Sequence, residues 1–243
     1  MITTIIQART GSARLPEKVL KMVEEKTFLE HMIERVRHAK QLDEIIIATT
    51  QKREDDAIAF LAENLGIKVF RGSEKDVLER YYKAALESSS DHIVRLTGDC
   101  PLLDPEVVNR VVDFYLKSLD HYDYVSNVNP RTYPHGMDVE VFSFGALAKS
   151  YKESKDLTER EHVTPYIRNN PGIFRIGNVV YDEDLSYLRL TLDYPEDLEV
   201  ITNVFRELYP KNNFFGLEDI LTLHRQKPDI FLANSRFRRP SQY

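Results

Sequence analysis

The sequence predicts an α/β fold in which a mostly parallel, Rossmann-like sheet carries helices on both faces. Short apolar, β-branched runs recur along the chain, as in Ile45-Ile46-Ile47, and such continuous runs are typical of strands buried on both faces. Segments with apolar residues at helical spacing separate these runs, and the links between them are short. Strands that alternate with helices in this way favour a parallel sheet.

In the first half of the chain, strands are predicted at residues 3–8, 44–49, 67–70 and 92–96. Apolar spacing predicts helices at about 28–36, 53–65 and 77–85. Gly66 stands where glycine commonly follows a helix end. The triplet Asp104-Pro105-Glu106 is typical of a helix start, because Asp caps the first turn and Pro fits its first position.

After about residue 127 the alternation changes. Strands are predicted at 138–142, 174–181 and 187–192, and helices over most of 145–169, near 196–208 and at 217–225. We expect one domain over residues 1–243, with an inserted lobe at about 128–185. The basic segment 236–240 is expected to be a frayed, solvated terminus.

Composition and charge exclude several classes of protein. The 243-residue chain has a net charge of −6, which argues against broad nucleic-acid binding. No apolar run approaches the roughly 18–20 residues of a membrane span, and the N-terminus lacks the basic region of a signal peptide. The single cysteine, Cys100, excludes an internal disulfide and a cysteine-rich zinc site. We therefore expect a cytoplasmic protein with neither nucleic acid nor a membrane as partner.

The loop QARTGSARLPEK follows the first predicted strand and carries three cations, Arg9, Arg14 and Lys18. Gly11 is the only glycine in the first 65 residues, so neither a dinucleotide-binding GxGxxG nor a P-loop pattern is present. A phosphate site here would depend on guanidinium and ammonium side chains instead of backbone N–H groups. The alternative is an ordinary solvated basic turn.

Two carboxylates stand at the ends of other predicted strands. Asp99 lies in the turn after the strand at 92–96, and Asp193 follows the strand at 187–192. Ligands of open α/β sheets bind beyond the carboxyl ends of the strands, where carboxylates can hold Mg²⁺ beside bound phosphates. The alternatives are that Asp99 stabilises a β-turn and that Asp193 caps a helix, as Asp104 is expected to do.

A set of motifs over nearly the whole chain resembles one family. The motifs are QARTGSARLPEKVL, VFRGSEKDVLERYY, RLTGDCPLLDP, HGMDVEVF, TEREHVTPYI and LDYPEDLE. They resemble the cytidylyltransferase-related spore coat polysaccharide biosynthesis proteins of the F type, and more distantly the CMP-sugar synthetases for 3-deoxy-manno-octulosonate and sialic acids. The resemblance implies a nucleotide-diphospho-sugar transferase (GT-A-like) fold, a homodimer formed through the inserted lobe, and CTP and a small sugar as substrates.

The resemblance also implies roles for individual residues. It assigns the CTP triphosphate to Arg9, Arg14 and Lys18, and Mg²⁺ to Asp99 and Asp193. Contacts to base and ribose are expected from Ala8, Arg71 and Ser73. Residues expected to line the sugar site are His135, Asp138, Glu140, Arg160, Glu161 and His162. For Asp138 and Glu140 the alternative is an ordinary polar strand face, and for His162 a helix histidine with its hydrogen bonds satisfied.

The implied reaction is attack of a sugar hydroxyl on the α-phosphorus of CTP, with release of pyrophosphate. Arg14, Lys18 and Asp99 are the expected catalytic residues, and no side chain stands out as a general base. The alternatives are a glycosyltransferase that uses a nucleotide sugar, and a non-catalytic nucleotide-binding partner of a polysaccharide assembly complex.

The chain has Glu17 where the wider synthetases have glycine. A left-handed backbone there would strain the turn, and we expect the Glu17 side chain to face solvent.

Overall fold

The computed structural model describes residues 1–237. The β-strands are β1 (Ile2–Gln7), β2 (Met22–Val23), β3 (Lys26–Thr27), β4 (Glu44–Thr50), β5 (Lys68–Gly72), β6 (His92–Thr97), β7 (Tyr124–Ser126), β8 (Glu140–Ser143) and β9 (Ile176–Asn178). The α-helices are α1 (Phe28–Val36), α2 (Asp56–Asn64), α3 (Val77–Glu87), α4 (Pro105–Leu116), α5 (Phe144–Glu153), α6 (Leu157–His162), α7 (Pro165–Arg168), α8 (Pro195–Leu208) and α9 (Leu217–Gln226).

Seven of the described strands form one sheet in the order β5-β4-β1-β6-β8-β7-β9, and β2 pairs with β3 in a separate hairpin. Strand β1 is parallel to β4 and to β6, with Gln7 opposite Ala48 and Thr97. Strand β8 is antiparallel to both β6 and β7, and the other pairings in this sheet are parallel. The predicted mostly parallel sheet is therefore confirmed. Strands β1, β4, β5 and β6 end at a common edge, and the candidate site lies there.

Helices cover both faces of the sheet, as predicted. Neighbouring residues of a strand point to opposite faces, so Ile5 and Ile6, both fully buried, belong to different clusters. Ile6 packs in a cluster that includes residues of α1, α2, α4, α8 and α9. Ile5 packs in a cluster that includes residues of α3, α5 and α7. Full burial of each such side chain contributes about 1.5–3 kcal/mol, so the two faces together hold the sheet rigid beneath its loops.

Two local predictions about helix ends are confirmed. Gly66 follows α2 with a φ of +67°, a left-handed conformation that glycine adopts without strain. Asp104 caps α4, since its Oδ1 accepts the N–H of Glu106 at 2.8 Å, and Pro105 occupies the first turn. Its Oδ2 also accepts the N–H of Leu217 at 2.6 Å, which joins the start of α9 to the start of α4.

The strand predicted at 187–192 does not belong to the sheet. It is an extended segment with one isolated bridge, between Arg189 and His135. Leu188, Leu190 and Leu192 are buried at alternate positions, as they would be in a strand, so the hydrophobic pattern could not separate the two cases. The segment pairs with loops instead, because the loop carrying His135 and the loop after β6 lie beside it.

Other predicted elements are shorter or divided. The helix predicted over 145–169 is three helices, because the backbone is extended at Ser154 and left-handed at Val163, and Pro165 then starts α7. The strand at 138–142 begins only at Glu140, and the strand at 174–181 shortens to β9.

The basic tail is expected to be frayed and solvated, and at Arg236 and Phe237 the expected fraying is wrong, although the Arg236 side chain is exposed. Arg236 pairs with Glu196, and the ring of Phe237 stacks on that of Tyr194. The rest of that prediction, residues 238–240, lies outside the described residues.

Strands β8 and β9 both lie within the region 128–185, and both extend the main sheet. The division of the chain into one domain with an inserted lobe stays a prediction. Within residues 1–237, no helix combines the length and the hydropathy required to cross a bilayer.

Candidate active site

The site begins where β1 and β6 end side by side. The N–H of Gly98 donates to the carbonyl oxygen of Gln7 at 2.8 Å, which continues the pairing of the two strands by one residue. A Cβ at position 98 would lie 3.0 Å from the Cβ of Ala8. The missing side chain therefore lets the turn that carries Asp99 lie directly against the loop that follows β1.

Lys18 joins the two strand-end carboxylates. Its Nζ donates to Asp99 Oδ2 at 2.6 Å and to Asp193 Oδ1 at 2.7 Å. These residues are separated by 81 and 175 positions in the chain, so three distant segments meet at one ammonium group. The structure thus brings together three of the residues that the resemblance assigns to triphosphate and metal.

Burial and charge act in opposite directions on the ionisation of this cluster. Burial by itself would lower the pKa of Lys18, but Asp99 and Asp193 outweigh it and raise that pKa. Burial would raise the pKa of Asp193, but the charges of Lys18, Arg189 and Arg14 lower it below the ordinary value. The ammonium and the Asp193 carboxylate are therefore both charged at neutral pH.

Asp193 is held from several directions. The N–H of Leu192 donates to the carbonyl oxygen of Asp99 at 2.8 Å, which sets the two carboxylate-bearing segments side by side. Arg189 Nη2 donates to Asp193 Oδ2 at 3.2 Å. The N-cap of α8 is Tyr194, and the oxygens of Asp193 face Lys18 and Arg189. This arrangement speaks against the interpretation of Asp193 as a helix cap.

Asp197 fills that capping role, and sequence reasoning missed it. Its Oδ2 accepts the N–H groups of Asp193 and Tyr194, each at 3.0 Å. Asp197 is fully buried, and the guanidinium of Arg189 binds both of its oxygens at 2.9 and 3.0 Å. The sequence did contain a signal, since an acidic residue three positions after the N-cap is typical of a capping box.

The loop after β1 with Arg9, Arg14 and Lys18, residues 7–18, which we call the cationic loop, is anchored by a second buried carboxylate that sequence reasoning missed. Asp55 Oδ1 accepts the backbone N–H of Thr10 at 2.7 Å and the Thr10 hydroxyl at 2.8 Å. The other oxygen of Asp55 accepts the hydroxyl of Thr50, at the end of β4. This contact ties the loop after β1 to its neighbouring strand and fixes where the cations project.

Arg9 and Arg14 reach outward from this anchored loop. The side chain of Arg14 is 55% exposed, and its Nη2 lies 3.5 Å from Asp193 Oδ1. Arg9 is also exposed, and its nearest acidic group is Glu74 at 3.8 Å. Arg14 therefore belongs to the Lys18 cluster, whereas Arg9 lies toward the loop after β5.

Glu17 adopts a left-handed backbone conformation, with φ 54° and ψ 25°. This is the conformation for which a glycine would be suited at that position. Its N–H donates to the carbonyl oxygen of Thr10 at 3.0 Å, which closes the loop. The side chain is exposed, so the expectation that it faces solvent is confirmed.

The residues expected to contact base and ribose lie along the same edge of the sheet. Ala8 is buried against Gly98. Arg71 donates to the carbonyl oxygens of Thr50 and Lys52 at 2.9 and 2.8 Å, and thus braces the loop after β4. Ser73 Oγ accepts the N–H of Asp76 at 3.0 Å, just before α3. The contacts of Arg71 and Ser73 are thus internal to the loops they shape.

On the other side of Asp193 lies the segment with His135 and Asp138. Gly136 has a φ of +99°, and a Cβ there would fall 2.4 Å from the carbonyl oxygen of Leu190. Only glycine allows this close approach, so His135 and Asp138 lie against the extended segment that leads to Asp193. Arg131 binds both oxygens of Asp138, at 2.5 and 2.8 Å. Burial would raise the pKa of Asp138, but Arg131 lowers it below the ordinary value.

The remaining predicted sugar-site residues are not gathered into this cluster. Glu140 is 4% exposed and accepts hydrogen bonds from Arg95, Tyr124 and Thr164. Arg160 is paired with Asp76 at 2.6 Å. Glu161 and His162 are exposed at the end of α6.

Asp99 and Asp193 are the residues suited to a metal ion. Among residues 1–237, no group of three or more His, Cys, Asp or Glu side chains is placed to hold one. Two carboxylates that converge on one ammonium do fit a cation such as Mg²⁺, which commonly takes one or two carboxylates together with water and substrate phosphates.

Comparison with known proteins finds relatives that match nearly the whole chain. The family model for cytidylyltransferases matches residues 3–234. The chain is 43% identical to an uncharacterized protein of Methanocaldococcus jannaschii, over 99% of this chain and 97% of that one. It is 34% identical to the spore coat polysaccharide biosynthesis protein SpsF of Bacillus subtilis, over 94% and 95%.

Two further likenesses extend this result. A solved cytidylyltransferase from Leptospira borgpetersenii superposes with a TM-score of 0.91 at 33% identity, and covers 100% of this chain and 98% of that one. A 3-deoxy-manno-octulosonate cytidylyltransferase of Solibacter usitatus is 27% identical, over 84% of this chain and 94% of its own. The predicted nucleotide-diphospho-sugar transferase fold is confirmed.

Proposed function

Since the chain belongs to the cytidylyltransferase family and is a nucleotidyltransferase, we propose that it transfers CMP from CTP to a 2-keto sugar acid, with release of pyrophosphate, for surface polysaccharide biosynthesis. The observation that carries this proposal is the contact of Lys18 with both Asp99 and Asp193. It unites a phosphate-binding cation and two metal-binding carboxylates at one edge of the sheet. The SpsF and 3-deoxy-manno-octulosonate relatives support the sugar class and the pathway.

In this proposal the cationic loop binds the triphosphate. Arg14 and Lys18 lie side by side at Asp193, and both can donate to phosphate oxygens. As the bond to the α-phosphorus breaks, negative charge grows on the leaving pyrophosphate. Cations already held in place stabilise that charge without having to reorganise.

Asp99 and Asp193 would hold Mg²⁺ in the same cluster. When bound, the metal would orient the α-phosphate and lower the pKa of the attacking hydroxyl. Lys18 offsets part of the charge of the two carboxylates in the structure described here, and on nucleotide binding its ammonium is free to exchange carboxylate oxygens for phosphate oxygens. Positioning and charge neutralisation of this kind are what phosphoryl-group transfer mainly requires of a protein.

The sugar acid would lie beside the segment with His135 and Asp138. Gly136 brings this segment against the backbone that leads to Asp193, so a sugar bound there is next to the α-phosphate position. Arg131 holds the Asp138 carboxylate in place to accept hydrogen bonds from sugar hydroxyls. Glu140 and Arg160 have internal partners and would stabilise the framework of the site without contacting the sugar. Glu161 and His162, on α6, stay predicted sugar contacts.

The test is pyrophosphate release by the pure protein with each nucleoside triphosphate, Mg²⁺ and a panel of keto sugar acids. We expect release with CTP and at least one sugar acid, and none without the acid. Cleavage of a nucleotide sugar in place of CTP would indicate a glycosyltransferase. Binding of CTP without turnover on the whole panel would favour a non-catalytic partner. A homodimer and a cytoplasmic location stay predictions, and gel filtration with light scattering tests the first.

A further inference from the structure

The C-terminal segment, residues 234–237, returns to the candidate active site. Asn234 is buried, and its Nδ2 donates to Asp197 Oδ1 at 2.9 Å and to the carbonyl oxygen of Arg189 at 3.0 Å. Arg236 pairs with Glu196 in the first turn of α8. The segment is therefore tied to the residues that position Asp193.

This anchoring sets the ring of Phe237 on Tyr194, the residue directly after Asp193. The two rings are nearly parallel, with 11° between their planes and 3.9 Å between their centroids. The guanidinium carbon of Arg14 lies 4.7 Å from the centroid of the Tyr194 ring, and Arg14 Nη1 donates to the Tyr194 hydroxyl at 3.2 Å. Phe237 and Arg14 thus both contact the Tyr194 ring, and we call these three residues the aromatic stack.

The aromatic stack solves a positioning problem for Arg14. More than half of this side chain is exposed, and a long exposed arginine samples many rotamers. Its ionic partner, Asp193, also serves Lys18 and would hold the metal in the proposed function. The Tyr194 ring is not a proposed metal or phosphate ligand, and Arg14 lies closer to it than Arg189 does, at 4.7 Å against 5.7 Å, so the ring can keep the Arg14 guanidinium in place during binding and turnover. The guanidinium has five N–H donors and the Tyr194 hydroxyl takes one of them, so others stay available for phosphate oxygens.

We infer that Phe237 and Tyr194 are positioning residues that hold Arg14 for the triphosphate, so that the C-terminal segment forms part of the nucleotide site. This inference rests on the proposed function, because it takes Arg14 as a phosphate ligand. It adds the C-terminal segment, residues 234–237, to the parts of the chain that triphosphate binding requires, beyond the cationic loop itself.

The first measurement is binding of inorganic tripolyphosphate to the full chain by calorimetry, which depends on no catalysis. Phe237→Ala should weaken this binding about three- to tenfold, in line with the loss of the stacking contact that holds the Tyr194 ring in place. Phe237→Tyr should restore it. Phe214→Ala is the matched control, since Phe214 also packs on a neighbouring ring, that of His38 at 4.1 Å, and lies away from Tyr194. It should leave binding unchanged.

A double-variant cycle separates positioning from general structural support. If Phe237 acts through Arg14, then Phe237→Ala in an Arg14→Ala background should cause little further loss. By itself, Phe237→Ala should raise the KM for CTP more than it lowers kcat. An equal loss in both backgrounds, a loss in Phe214→Ala as large as that in Phe237→Ala, or a parent protein that binds no tripolyphosphate would overturn the inference. A parent that binds tripolyphosphate but transfers no CMP would instead refute the proposed function alone.

Discussion

Two ionic clusters of this molecule look alike in composition and differ in their surroundings. In the first, Lys18 lies between Asp99 and Asp193 at the edge of the sheet. In the second, Arg95 on β6 pairs with Glu140 on the neighbouring β8. The Lys18 cluster is only partly buried, and Arg14 beside it is exposed. Glu140 is enclosed, and the hydroxyls of Tyr124 and Thr164 bind it in addition to Arg95.

The comparison shows how a cluster built for exchange differs from one built for structure. Around Glu140 each donor comes from a rigid element or a buried side chain. A ligand from solvent could not reach the hydrogen bonds of this carboxylate to replace them, because Glu140 is enclosed. Around Lys18 the groups come from three loops and adjoin solvent, so phosphate and a cation can take over their contacts. Each cluster joins a cation to carboxylate groups from distant parts of the chain, and the exposure of the carboxylate side chains separates them: 23% and 24% for Asp99 and Asp193, against 5% for Glu140.

The largest effect on stability is expected from Glu140→Gln. This variant leaves Arg95 buried without its counter-charge, and loss of one partner of a buried ion pair typically costs about 3–5 kcal/mol. Denaturant titration should show that loss in the free energy of unfolding, while the activity of the folded fraction stays near that of the parent. Removal of both charges, in Arg95→Met with Glu140→Gln, should recover much of the stability, because the amide oxygen still accepts the hydroxyls of Tyr124 and Thr164. If Glu140→Gln does not change the free energy of unfolding, the Arg95–Glu140 pair contributes no more than a weak surface ion pair.

Lowering the pH tests the same ion pair in the parent protein, because protonation removes the charge of Glu140 without a substitution. Burial would raise the pKa of Glu140, but Arg95 and the hydroxyl donors lower it below the ordinary value. Its contribution to stability is therefore fully present above the pKa of the unfolded chain, about 4.3, and is lost as the pH falls through the lower pKa of the folded state. The stabilities of parent and Glu140→Gln should converge in that acidic range, as followed by denaturant titration at several pH values. A difference that stays constant with pH would contradict this ion-pair account.

The next largest effect concerns activity at the exchangeable cluster. Asp99→Asn and Asp193→Asn should each lower kcat by roughly 10²–10³-fold, the usual cost of removing one electrostatic catalytic group. Both variants should melt close to the parent, because the cluster is partly exposed and Asn keeps the shape. Steady-state pyrophosphate release and thermal melts measure the two effects. Asp113→Asn, on the exposed side of α4, is the control. A fully active Asp193→Asn would remove that carboxylate from the metal site.

Lys18→Met should act in opposite directions on two measurements. It removes the ammonium from between Asp99 and Asp193, so Mn²⁺ should bind at least about tenfold more tightly in the absence of nucleotide, since one charge contact near a surface is worth on the order of 1–4 kcal/mol. Turnover should fall at the same time. Mn²⁺ binding is measured by electron paramagnetic resonance. Lys26→Met is the matched control, because Lys26 binds the single carboxylate of Glu34. Unchanged metal affinity would show that Lys18 does not compete with the cation.

The smallest effect is expected at Glu17. Glycine in place of Glu17 relieves a left-handed backbone that costs roughly 1–2 kcal/mol, but increases the freedom of the unfolded chain by up to about 1 kcal/mol. Glu17→Gly should therefore stabilise the protein slightly, by less than about 1 kcal/mol in denaturant titration. Glu24→Gly provides a comparison, since Glu24 is also left-handed but lies away from the site in the β2–β3 hairpin turn. A clear loss of stability in Glu17→Gly alone would mean that the Glu17 side chain has a role of its own.

Local patterns were enough to predict the four sheet strands of the first half and the helices between them, but not the short β2–β3 hairpin. The run Ile45-Ile46-Ile47 predicts a strand buried on both faces, and it forms part of β4, which pairs with β1 on one side and β5 on the other. The same reasoning failed at 187–192, where alternate leucines are buried without a sheet partner. Burial produces the same hydrophobic pattern whether hydrogen-bond partners come from strands or from loops, so the pattern alone could not distinguish them.

For the candidate site, the sequence by itself determined the chemistry of the loops: three cations after β1 and one carboxylate in each of two later turns. It could also have indicated Asp197, through the spacing of a capping box. Only the tertiary structure decided that Lys18 lies between Asp99 and Asp193, that Glu140 is enclosed by Arg95, and that Phe237 returns to Tyr194. These contacts join residues far apart in the chain, and their distances depend on the order of strands in the sheet and on the packing of α8. Local spacing carries no information about either, because each results from the burial of the whole apolar surface at once.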